Sequence, residues 1–313
     1  MGRHCLAGPE ALTIDILQLP DAWKVAEGFP QPDWRVIGDY IRRTYPEADQ
    51  PEMWDEACMQ WLGALQHVLG TDLYQIYQSQ NFVLLTAKTP PNAKNALNNC
   101  ENALVQICKQ LGSLAWHWKC GKHAVVFFED LDNYYRYISY FYPDEGDFSG
   151  SAATFLNRGY CHTAAGPLRG SGAGTLVHEL VHLCLAQQRI PKWVNEGLAV
   201  NISNAITGAH SFAVTRDLLS EHEAHWNSET IQGFWSGKSF SSVDCGGLCY
   251  SLAQILVDNM QGDYKEFYDF VKDAKASDAG EASALAHLGD SLGLIASVFL
   301  GPGDWTPKPP APR

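Results

Sequence analysis

The chain has 313 residues, of which 46% are apolar and 12% aromatic, enough for one large hydrophobic domain or two ordinary ones. Lys and Arg number 22 against 35 Asp and Glu, a formal charge of −13, which argues against nucleic acid or an anionic membrane surface as partner. No apolar run reaches the roughly 18 residues of a membrane span, and residues 1–10 lack the apolar core of a signal peptide, so a cytoplasmic chain without a membrane partner is expected.

Residues 1 to about 75 read as an irregular start followed by helices, an N-terminal accessory region without chemistry of its own. Pro51 suits a first helical position and Gly70 a stop. Between them Trp54, Cys58, Trp61, Leu62, Leu65 and Leu69 recur at three-and-four spacing, which predicts a helix over 51–69. The short apolar run 81–87 predicts a strand, and Pro90-Pro91 punctuates it. A helical stripe follows over 92–111, then a buried strand over 124–128 and an aromatic-rich helix over 130–142 that Pro143 ends.

Residues 146–174 are rich in Gly, Ser and Ala. Two short strands are expected there, 153–156 and 160–163, joined as a hairpin by the turn Asn157-Arg158-Gly159. A free edge on that hairpin offers main-chain hydrogen bonds to an extended substrate. Next comes an apolar helix over 173–188, capped by Thr175 or a nearby Ser and limited by Pro191. A second helix starts near Pro191, and the short Arg189-Ile190 link makes the two close neighbours. Helices over 213–226, 248–260, 264–275 and 281–300 complete the chain, and the Pro-rich tail 301–313 is expected to be extended or loose.

The chemistry concentrates in the helix over 173–188. It contains His178-Glu179-Leu-Val-His182, the order H-E-x-x-H. A four-residue step is slightly more than one helical turn, so the two imidazoles share a face and can bind one Zn²⁺. Glu179 sits about a quarter-turn away, placed to take a proton from a water on the metal. A third ligand is needed, and Glu196 in the second helix is the natural candidate. Burying two His and two carboxylates with no cation costs at least a few kcal/mol.

Other arrangements fit less well. A metzincin needs Gly three residues and His six residues after the second histidine, where this chain has Leu185 and Gln188. Glu221-His-Glu-Ala-His225 reads as an exposed polar helix face, and His162 as a structural or solvent-exposed residue rather than part of a cleft. His117, His123, His210 and His287 have no context that singles them out. The nine Cys, odd in number and irregular in spacing, read as reduced and mostly buried thiols, Cys245 and Cys249 included.

His178-Glu-x-x-His182 followed by Trp193-x-x-Glu196-Gly-x-Ala199 resembles the gluzincin metallopeptidases, and most of all the peptidase MA-like group, whose second motif also reads W-x-N-E-G-x-A. The likeness covers about residues 80 to 300. It implies an α+β, thermolysin-like (zincin) fold: a small mixed sheet with an edge strand on the H-E-x-x-H helix, and a helical subdomain as the other wall of the cleft. The expected division is 1–75 as accessory region, 76–300 as catalytic domain (76–188 sheet and metal helix, 189–300 helical subdomain) and 301–313 as tail. The resemblance further implies one zinc ion held by His178, His182 and Glu196, with Glu179 as general base. Tyr250 stands where some gluzincins carry an oxyanion-stabilising Tyr. A thermolysin-like Asp four residues beyond the Glu ligand is absent, Val200 taking its place, so another group must orient the imidazoles. No G-x-M-E-N exopeptidase signature is present.

The expected activity is zinc-dependent hydrolysis of peptide bonds in a peptide or protein substrate. The alternatives are a catalytically inactive, zinc-stabilised peptide-binding or scaffold protein with the same fold, and a zinc hydrolase of non-peptide amides or esters.

Overall fold

A computed structural model describes residues 14–116, 120–142, 152–167, 172–262 and 264–308. Trp23–Ala26 (β1) and Phe29–Pro32 (β2) pair antiparallel across Glu27 and Gly28, whose φ values are 53° and 78°. A two-residue hairpin turn of that hand needs positive φ at both positions. No strand is expected here from the sequence, where two prolines and mixed polarity hide the pairing. Trp34–Thr44 (α1) follows, its first amides capped by the Asp33 carboxylate. Gln50–Leu69 (α2) then carries the expected apolar stripe, with Trp54, Trp61, Leu62 and Leu65 buried.

The main sheet has five strands: Gln75–Gln78 (β3), Phe82–Thr86 (β4), His123–Phe127 (β5), Ala153–Leu156 (β6) and His162–Ala165 (β7). Their spatial order is β3-β4-β5-β7-β6, with β4, β5 and β7 parallel and both edges antiparallel. The expected hairpin of β6 and β7 is present, its second strand two residues later than the sequence reading places it. β3, short and polar at both ends, is a strand the sequence reading does not contain.

Both sheet faces are buried, which is why β4 and β5 read as continuous apolar runs rather than alternating ones. Val83, Leu85, Ala124, Val126 and Ala164 face one core, shared with α1, α2 and the helix Leu131–Ser139 (α4). Residues 14–75 therefore brace the back of the sheet. Phe82, Leu84, Val125, Phe127 and Ala165 face the other core, shared with Pro90–Leu111 (α3) and the helices beyond the sheet.

Those helices are Ala173–Cys184 (α5), Lys192–Thr207 (α6), Arg216–His225 (α7), Thr230–Trp235 (α8), Gly246–Met260 (α9), Tyr264–Asp273 (α10), Glu281–His287 (α11) and Leu292–Leu300 (α12). The fold is thus α+β, a small mixed sheet with many helices. Gly197 lets α6 and α9 approach: a Cβ there would lie 2.4 Å from the Ala253 carbonyl oxygen. The stretch 281–300 is two helices at 90°, not one, because Ser291 caps a new start at Leu294 N. Among the described residues no single helix is long and apolar enough to cross a membrane.

The tail departs from expectation over 301–308. Trp305 is buried, its carbonyl accepts the Trp235 indole N–H at 2.7 Å, and Gln232 bonds the backbone of Thr306 and Lys308. One large aromatic side chain is enough to pin a Pro-rich segment. Residues 309–313 lie outside the described residues, as do Pro143 and His117.

Candidate metal centre

α5 buries Leu176, Leu180, Val181 and Leu183 against the core and turns His178 and His182 outward to a cleft. Its N-cap is Gly172 in a left-handed conformation, with no side-chain cap, so neither Thr175 nor a Ser caps it. Thr175 lines the cleft instead. The helix ends at Cys184, and a turn through Gln188 leads to Pro191 and the start of α6. α6 packs directly on α5, which brings Glu196 over the two histidines.

Three donor atoms converge. Nε2 of His178 and Nε2 of His182 are 3.0 Å apart, and Oε2 of Glu196 is 3.2 Å from each. Zinc bonds of about 2.0–2.1 Å in a tetrahedral site separate neighbouring ligand atoms by about 3.3 Å. The set therefore has the chemistry and spacing of a three-ligand centre that could hold one metal ion. Two facing imidazole nitrogens with a shared carboxylate oxygen are otherwise satisfied only by holding extra protons.

Asn195 supplies the orienting group that Val200 does not. Its Oδ1 lies 2.7 Å from His182 Nδ1 and accepts that N–H, which leaves the Nε2 lone pair facing the centre. In the sequence, the local signal for Asn195 is its place immediately before Glu196. Glu179 is buried, and its Oε2 accepts the backbone N–H of Phe155 on edge strand β6 at 2.6 Å. The base candidate is thus tethered to the strand that borders the cleft.

Electrostatics follow from this packing. Burial pushes the Glu179 carboxyl above its usual range, against the opposing pull of both histidines and the Phe155 N–H. Glu196 goes the other way: burial raises it, but the adjacent imidazoles outweigh burial and hold it well below the usual carboxylate range. Burial opposes an imidazolium at His182, yet the Glu196 carboxylate more than offsets it and lifts His182 to about 9 in the metal-free protein. Tyr250, on α9, has its ring centroid 6.3 Å from that of His178. Burial, then the Glu196 and Glu179 charges, raise its phenol well above the ordinary value, so it remains a hydrogen-bond donor. Phe240 and Phe212 pack against its ring.

All five site residues read from the sequence, His178, Glu179, His182, Glu196 and Tyr250, line one cleft of about 1500 Å³. The chain matches no family model, no curated protein and no solved structure. Other titratable residues sit apart. His162 is buried between the Tyr137 hydroxyl and the Tyr160 carbonyl, a structural role. His222 corrects the reading of Glu221–His225 as an exposed face: it is buried, bonded to Ser251 and Trp226. Cys245 and Cys249 are buried free thiols.

Proposed function

We propose that this chain is a zinc-dependent metallopeptidase of thermolysin-like build, with His178, His182 and Glu196 as ligands of one zinc ion. The observation that carries the reading is the convergence of three ligand atoms beside a buried glutamate tied to an edge strand. A mixed sheet with β6 along α5, and a helical wall opposite, supports the fold assignment, with 76–300 as the catalytic unit. Glu179 favours a hydrolase over a zinc-stabilised binding protein, because a structural site has no use for a fourth, proton-accepting group in the cleft.

Zinc held there supplies Lewis acidity, which acidifies water and polarises a carbonyl. The chain's own residues do the rest. The main chain of β6 aligns an extended peptide along the cleft. Phe155 N–H holds Oε2 of Glu179, so the other carboxylate oxygen takes the proton of the attacking water. The same oxygen then returns that proton to the leaving nitrogen, a transfer that its raised proton affinity suits. The Tyr250 hydroxyl donates a hydrogen bond to the oxyanion of the tetrahedral intermediate. Asn195 keeps the His182 ring in the required tautomer throughout.

Cleavage of a peptide library, mapped by mass spectrometry with and without chelator, tests the reading. Chelator-sensitive scission that Glu179→Gln abolishes is the expected result. Scission unaffected by either change contradicts it.

A further inference from the structure

Beyond the metal site, the charged side chains that line the cleft among the described residues are Arg158 and Lys192. Both are cations and both are exposed, in a chain whose acids outnumber its bases by 35 to 22. Among the described residues the reversal lies toward one end of the cleft. Leu156, the last residue of β6, stands opposite His162, the first of β7, which in turn pairs with Ala124 at the start of β5. Cys184, the last residue of α5, borders a small cavity together with His123, the first of β5. The end of α5 and the end of β6 therefore lie toward the same end of the strands. Arg158 stands two residues past the end of β6 there, and Lys192 begins α6 after the turn from α5.

Lys192 is four residues before Glu196, one turn back on the same helical face. Its ammonium sits 5.5 Å from the ring centroid of Phe240, another cleft residue, which holds the charge at the wall. Neither cation forms an ion pair with a carboxylate among the described residues. Among the described residues these two cations have no ion-pair partner, so both are open to an anion that enters this end of the cleft.

We propose that this end of the cleft binds a carboxylate, and that the peptides the protein takes are acidic on the side of the metal site toward the C-terminal end of α5. The inference rests on the cleft being a peptide site, as proposed above. It runs against the net charge of −13, which repels acidic peptides at long range. Screening confines that repulsion to about 8–10 Å at physiological salt, so contact with Arg158 and Lys192 dominates once the peptide is seated. The carboxylate has two sources, an Asp or Glu side chain or the peptide's own C-terminus.

Binding separates this inference from catalysis. Zinc-loaded Glu179→Gln protein is titrated with fluorescent peptides that differ only in Glu against Gln, each with a free or an amidated C-terminus. The expected result is about tenfold tighter binding of the Glu peptides, the order of two partly screened ion pairs, fading with added salt. In Arg158→Gln/Lys192→Gln protein, checked for unchanged thermal unfolding, the Glu-to-Gln ratio falls toward one. A preference for the free C-terminus alone assigns the site to a terminal carboxylate. Equal binding of all four peptides, or a Glu preference that survives the double substitution, overturns the inference. Acid-selective binding without scission by the unsubstituted protein upholds it and overturns the hydrolase; scission with no acid preference does the reverse.

Discussion

Asn195 Oδ1 and His182 Nδ1 lie 2.7 Å apart, so the residue before one proposed ligand orients the ring of another. That contact links α6 to α5 at the centre itself. One turn beyond Glu196 the chain has Val200, whose side chain offers no acceptor.

Removing that acceptor frees the imidazole to rotate and to change tautomer. Asn195→Ala is expected to weaken zinc affinity by about 10–100-fold, the usual effect of losing an outer-shell partner. Asn195→Asp keeps an acceptor and is expected to lose much less. Competition against a chromogenic chelator measures both; equal affinity in Asn195→Ala and the unsubstituted protein contradicts the role.

The His182 proton sets a pH dependence. Its pKa in the metal-free fold, about 9, is above the ordinary 6.5. The stability it contributes is complete below about pH 6.5 and is lost as the pH rises through about 9. Zinc needs the neutral ring, so uptake displaces about one proton, and apparent affinity falls about tenfold for each pH unit below 9. Thermal unfolding between pH 6.5 and 9.5 is expected to show a falling Tm for metal-free protein and a zinc-induced gain in Tm that grows with pH. A zinc-induced gain that shrinks with pH contradicts this assignment.

Glu179 is not one of the three converging residues of the proposed centre, and it accepts the Phe155 N–H. Glu179→Gln is expected to retain zinc and lose about 10²–10⁴-fold in kcat, the range of a general base. Parallel zinc analysis and single-turnover kinetics read the two effects separately. Retained turnover refutes the base role.

Gly197 follows Glu196 where α9 leaves no room for a side chain. An added Cβ would meet the Ala253 carbonyl oxygen at 2.4 Å and Val257 Cγ2 at 2.6 Å. Gly197→Ala is expected to destabilise the fold by about 1–3 kcal/mol, the cost of overpacking, measured by denaturant unfolding. A neutral or stabilising effect shows that the helices part freely.

What the sequence disclosed follows the range of the interactions. The histidines and Glu179 were legible because one helix of 3.6 residues per turn fixes them relative to one another. The strands 82–86 and 123–127 were legible because burial on both faces leaves uninterrupted apolar runs. Asn195 was not, since its role depends on how α6 crosses α5. Nor was burial of His222, whose neighbours Glu221 and Glu223 are exposed and mask a residue that only the arrival of Ser251 and Trp226 satisfies. Trp305 shows the same limit: composition made the tail look loose, and a partner about 70 residues away in sequence, Trp235, holds it.

Zinc content of the purified chain, measured by mass spectrometry of the intact native protein, tests the centre most directly. One zinc per chain is expected, kept in Glu179→Gln and lost in His182→Ala and in Glu196→Ala. A chain that binds no zinc when folded, or that keeps it after both ligand substitutions, contradicts the account.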